Sequence, residues 1–200
     1  MIETVQFTVV FRFAIVFTLA VGILACSLTQ KRIDPNFQNE TESGFGFQFP
    51  MSGEWYLGDS AKGQYSAGKK PKPDGSTTVA IVRHGPIWTP GGKPMTSSEL
   101  LDRFQKDIVT ESQAGPVSKV ESKFSQRKHG GADCLFFNQV GEDNGSHGAM
   151  NISNDGMICL HPTRKYQFIW MAISQRVPVG KAGENLAEDE KRFIGSLRFL

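Results

Sequence analysis

From Val117 to the C-terminus the chain alternates between β-patterned runs and turn signals, and the block is framed by one helix-patterned segment on each side. That order constrains the fold more than anything else in the sequence. The runs are Val117 to Arg127, Ala132 to Val140, His147 to Ser153, Gly156 to His161 and Tyr166 to Ser174. Asn154-Asp155-Gly156 has the composition of a tight hairpin turn. Strands joined by hairpins pair antiparallel, and amphipathic helices must then cover the sheet. Tyr166 to Ser174 (YQFIWMAIS) is the most apolar run and is expected at the sheet's centre.

The leading helix has the clearest start signal. Thr96 and Glu99 stand at capping-box spacing, with Met95 and Leu100 at the two staple positions. Leu101, Phe104 and Ile108 recur at helical spacing, and Gly115-Pro116 ends the segment, which predicts a helix from Ser97 to about Gln113. The closing segment, residues 184 to 194, is acidic at its front and buries Leu186, Phe193, Ile194 and, just beyond it, Leu197. Before the first helix, Phe45, Phe47 and Phe49 alternate with Gly46 and Gln48 in a half-buried strand. Met51 to Trp55 turns the chain, and Trp55 to Gly58 pairs back. Gln64 to Gly68 and Thr77 to Ile87 are strands about a Lys72-Pro-Asp-Gly-Ser76 turn. The class is α+β, an antiparallel β-sheet covered by two main helices, preceded by an N-terminal signal or anchor helix.

A Phe-rich first strand ending in Pro50, the Gly53-Glu-Trp55 triplet, a helix opening on Thr-x-x-Glu, a strand meander and a final Ser196-Leu-Arg-Phe199 together resemble the PsbP-like α/β/α sandwich over residues 44 to 200. The resemblance implies a fold that bacterial lipoproteins also carry. It brings no catalytic residues with it.

The N-terminus adds an address. An apolar run of about thirteen residues, Phe13 to Ala25, suits a secretory signal and is short for a membrane span. It ends Ile23-Leu-Ala-Cys26, which resembles a lipoprotein lipobox. The expectation is a signal peptide over residues 1 to 25, acylation of Cys26, a polar tether over 26 to 43 and a globular domain over 44 to 200. An ordinary cleaved signal, or an uncleaved anchor interrupted by Arg12, also fits. Ser27 in place of aspartate leans towards the outer membrane over the inner one. The protein is thus expected on the periplasmic side of the cell envelope, with the membrane as partner through its lipid. Cys26 aside, Cys134 and Cys159 form an even pair, which suits a disulfide in an oxidising compartment. Two buried free thiols are the alternative.

Charge and motifs narrow the chemistry. A net charge of +2 gives no basic field for nucleic acid. Lys69, Lys70 and Lys72, broken by prolines, read as a solvated loop. Gly63 to Lys70 approaches a phosphate-binding loop, but Lys70 stands where Ser or Thr must hold magnesium, and Pro71 and Pro73 forbid the helix it must open. His84, His129, His147 and His161 lack metal-ligand spacing. Ser146 and His147 would point to opposite faces of a strand. Glu188, Asp189 and Glu190 suit a helix N-terminus through its dipole. The glycosylation patterns at Asn39, Asn144 and Asn151 are chance matches in a bacterial protein.

No cofactor and no catalytic or metal site is expected. The leading function is a non-enzymatic binding or assembly module. A lipid or small-molecule carrier is the alternative, with its ligand between sheet and helix and Trp88, Trp170 or Phe136 lining the pocket. A hydrolase with a dispersed site ranks third.

Overall fold

The computed structural model describes residues 33, 39–41, 43–50, 55–58, 61–114, 117–144 and 148–200. The leader, Cys26 and His147 lie outside these residues. So do most of the tether, Met51 to Glu54 and Gly115-Pro116.

Among the described residues ten strands and two α-helices follow one another: β1 (Asn39–Thr41), β2 (Phe45–Phe47), β3 (Trp55–Leu57), β4 (Gln64–Lys69), β5 (Thr77–Pro86), α1 (Ser97–Ala114), β6 (Val117–His129), β7 (Ala132–Asp143), β8 (Met150–Leu160), β9 (Gln167–Pro178), α2 (Ala187–Gly195) and β10 (Arg198–Phe199). Seven strands make the main sheet in the order β3-β4-β5-β9-β8-β7-β6. Every pair in it is antiparallel. β1, β2 and β10 form a small second sheet. The expected α+β class is therefore present, and the apolar strand β9 takes the central place.

Side-chain alternation sends two cores to opposite faces. On one face α1 lays Leu100, Leu101, Phe104 and Ile108 against Ile81, Leu135, Ile158 and Trp170. On the other, α2 and the small sheet bury Phe193, Ile194 and Phe45 against Val82, Met157 and Met171. The capping box forms as its spacing predicts: Glu99 N donates to Thr96 Oγ1 at 3.3 Å, and Thr96 N donates to Glu99 Oε2 at 2.7 Å. The Phe45, Phe47 and Phe49 row is buried, with the Phe49 ring 5.9 Å from that of Phe193. Ser196 clamps the small sheet. Its Oγ accepts from Gln48 N at 2.8 Å and contacts Gln48 O at 3.1 Å.

Three expectations need correction. Asn154-Asp155-Gly156 is no hairpin turn. β8 runs unbroken through it, and Asn154, Asp155 and Gly156 pair with Ser174, Ile173 and Ala172. Trp55 to Leu57 pairs forward with β4, not back with the Phe-rich strand. Lys69 and Lys72 are not a bare solvated loop: both ion-pair with Glu184, at 2.7 and 2.8 Å. Beyond these, Asn39–Thr41 pairs with β2, so folded structure reaches N-terminal of Gly44.

Cys134 and Cys159 face each other across β7 and β8 with Cα atoms 4.1 Å apart, joined by a disulfide and fully buried. Closing a loop of 25 residues stabilises the fold by about 3 kcal/mol through loss of unfolded-chain entropy. The double variant Cys134→Ala, Cys159→Ala is expected to lose about that much in urea denaturation. Because both sulfurs are buried, reductant should act on the wild type only once denaturant opens it. Unchanged midpoints in the double variant would refute the structural role.

Candidate functional site

The two helices cover their faces unequally. α1 has 18 residues and α2 has 9. At 1.5 Å per residue α2 is about 14 Å long, whereas seven strands at about 4.8 Å spacing span about 29 Å. The small sheet covers part of the remainder. Beside α2, over β6, β7 and β8, a groove of about 800 Å³ stays open.

Strand alternation decides what lines it. β6 contributes Lys123, Ser125 and Arg127, at every second position, all exposed. β7 contributes Phe136 and Asn138, β8 contributes Asp155, and α2 contributes Ala187, Glu190, Lys191 and Ile194. Arg127 lies flat on Phe136, its guanidinium carbon 3.8 Å from the ring centroid. Stacking of this kind holds the fork in place and leaves its edge N–H groups free to donate. The Asn138 amide donates to Asp155 across the β7–β8 pair. Lys128, on the rim, is already paired with Asp133 at 2.7 Å.

Glu190 is the unusual group. Burial, with the Asp155 carboxylate as a lesser cause, pushes its carboxyl up to about 7. A carboxyl raised in the fold adds stability in full below its ordinary value near 4.5, and that contribution is lost as pH rises through about 7. Glu190→Gln should therefore flatten the stability profile between those values. After discounting for the open groove, the gain at pH 8 is about 1–2 kcal/mol. Thermal melts at pH 5 and pH 8 check this: an equal pH dependence in variant and wild type would count against it.

Glu188, Asp189 and Glu190 stand in the first turn of α2, where the dipole favours carboxylates as expected, and of the three only Glu188 is exposed. Asp189 is 2 % exposed, accepts from Trp55 Nε1 at 3.4 Å and lies 3.7 Å from Lys69 Nζ. Tertiary partners, added to the helix dipole, make that burial tolerable. Ala187 N is capped by Asn185 Oδ1 at 3.1 Å.

The three described histidines serve packing. His161 is buried: one ring nitrogen contacts Gly44 O at 3.1 Å, and the other accepts from Arg164 N at 3.1 Å and Thr163 N at 3.3 Å. His84 stacks on Tyr65 and meets Phe45 edge-on, and burial pulls its pKa below the usual imidazole value. His129 contacts Leu197 O at 3.3 Å. No group of three metal-ligating side chains converges among the described residues.

Of the three aromatics named from sequence, only Phe136 reaches the groove. Trp170 is buried under α1 and Trp88 is 56 % exposed elsewhere. Gly63 to Lys70, the near phosphate loop, lies mostly in β4. Arg127, Lys123, Asn138 and Asp155 were not singled out from sequence. Polar residues at every second strand position read as a solvent face. The available signal was the shortness of the last helix against the number of strands.

Among the described residues no helix is long and apolar enough to cross a membrane. No family model matches the chain, and no curated protein matches it. Solved structures are similar to it, among them the following two. LpqN, involved in cell envelope biogenesis of Mycobacterium tuberculosis, is 11 % identical, with 84 % of this chain and 88 % of that one covered at a TM-score of 0.46. The cyanobacterial PsbP of Synechocystis is 15 % identical, with 90 % of this chain and 96 % of that one covered at a TM-score of 0.47. The assignment of fold class rests on the strand order and the two helix layers described above.

Proposed function

We propose that this protein is a non-enzymatic binding module of the cell envelope, lipid-anchored through Cys26, that holds a ligand in the groove beside α2. The observation that carries the reading is Arg127 stacked on Phe136 in a strip of sheet that no helix among the described residues covers. Open sheet lined by an aromatic, a positioned cation and a few convergent polar groups has the make-up of a ligand site. A lipid at Cys26 would hold that groove close to a membrane.

A hydrolase reading meets a geometric obstacle. A serine nucleophile needs a base within hydrogen-bond reach. Ser125 and His129 both line the groove, but they are four residues apart on β6, about 13 Å along an extended strand. His129 also spends one ring nitrogen on Leu197 O.

Two measurements test the reading. Palmitate fed to cells should label the wild type and not Cys26→Ala. The full chain, extracted gently and examined by native mass spectrometry, should carry a co-purified small molecule that Arg127→Glu loses. A wild type that carries no added mass, or turnover by the purified chain, overturns it.

A further inference from the structure

Resting on that reading of the groove, we infer that its ligand is a phosphorylated polyol: a phosphate group with hydroxyls beside it, as in a sugar phosphate.

The lining of the groove makes two opposite demands. On β6, Lys123, Ser125 and Arg127 form a row on one face, and Lys191 lines the groove from α2. Lys123, Arg127 and Lys191 are donors only. Lys128 next to them is neutralised by Asp133, which shows what a satisfied cation looks like at this edge. The Arg127 fork, held flat by Phe136, suits the bidentate geometry of a phosphate. Three cations match a group that carries close to two negative charges near neutral pH.

Beside these cations stand Asp155 and Glu190: Asn138, which faces Lys123 across β6 and β7, already donates to Asp155, and Glu190 precedes Lys191 on α2. Ionised carboxylates accept and cannot donate. An anion alone would be repelled there, and an apolar chain would leave these groups unsatisfied. Hydroxyl groups meet the demand, because they donate to a carboxylate and accept from an amide or a protonated carboxyl. A ligand that satisfies both demands must join an anion to neighbouring O–H donors. The required chemistry is shared by a free sugar phosphate and by the headgroup of an inositol phospholipid phosphorylated on its ring, both of which carry a phosphate monoester beside hydroxyls.

The test uses the full chain in phosphatidylcholine nanodiscs, followed by amide NMR and calorimetric titration. Glucose 6-phosphate is expected to shift amides of residues 123 to 127 and 136 to 138. Glucose and inorganic phosphate should each bind at least tenfold more weakly. Arg127→Ala and Asp155→Asn should each weaken glucose 6-phosphate at least tenfold, and Arg127→Lys, which keeps the charge but not the fork, should fall between. Lys106→Ala, on an exposed position of α1, should change nothing. Nanodiscs doped with phosphatidylinositol 4-phosphate separate the sources: the same amides shifting without added sugar phosphate identifies a lipid headgroup, and no shift identifies a soluble ligand. If glucose or a neutral lipid moves the groove amides and glucose 6-phosphate does not, the ligand class is wrong while the groove remains a binding site. If no probe moves them, or all shifts map elsewhere, both readings fall.

Discussion

Gly156→Ala is expected to destabilise the protein by about 3 kcal/mol, the upper end of what overpacking one methyl does. A Cβ at this position would stand 2.6 Å from Phe137 Cζ and 2.9 Å from Ala172 Cβ, and would press on the carbonyl oxygen of Met171. Phe137 and Ala172 are its two cross-strand partners, so the crowding comes from both neighbouring strands at once. A backbone carbonyl in the middle of a sheet cannot step aside without breaking its ladder. Gly75, in the β4–β5 hairpin, is the control: its φ is +84° and no atom lies within 4 Å of the added Cβ. Gly75→Ala should cost only about 1 kcal/mol, from backbone strain alone. Urea denaturation of the two variants checks the contrast. Equal losses would mean that Gly156 serves a turn after all.

That contrast shows what local sequence can and cannot encode. The Lys72-Pro-Asp-Gly-Ser76 turn was legible because its bonds are local: Asp74 Oδ1 accepts from Ser76 N at 2.9 Å, and Lys72 O accepts from Gly75 N at 2.9 Å. The α1 capping box was legible for the same reason. The place of β9 followed from its apolarity, since a strand flanked on both edges and covered on both faces has few polar positions. Asn154-Asp155-Gly156 carries the same turn residues, yet its glycine answers to Phe137 and Met171, which are distant in sequence. Asp189 gave no warning either, because Trp55 and Lys69 lie more than a hundred residues upstream. The groove was the least legible feature. It joins one row of β6 to residues of β7, β8 and α2 that only the sheet register and the seat of α2 bring together.

Asp143→Ala is expected to lower stability by about 3–5 kcal/mol, the range for breaking a buried ion pair from one side. Arg176 and Asp143 are 8 % and 7 % exposed, and Arg176 Nη2 lies 2.6 Å from Asp143 Oδ2. Arg176 Nε has no hydrogen-bond partner among the described residues, so loss of the carboxylate would strand a guanidinium that is already under-satisfied. The ion pair itself need not be worth that much. Asp143→Leu combined with Arg176→Met, which removes both charges and keeps the volume, should return to within about 1 kcal/mol of the wild type. The pair also bears on the groove. It links the end of β7 to β9 across β8, while the disulfide joins the other end of β7 to β8. Asn138 and Asp155 lie between these two clamps. Asp143→Ala should thus speed amide hydrogen exchange at residues 138 to 142 more than at 132 to 136, where the disulfide still holds. A loss under 1 kcal/mol, or exchange that rises evenly along β7, would show that the ion pair does not hold this end of the site.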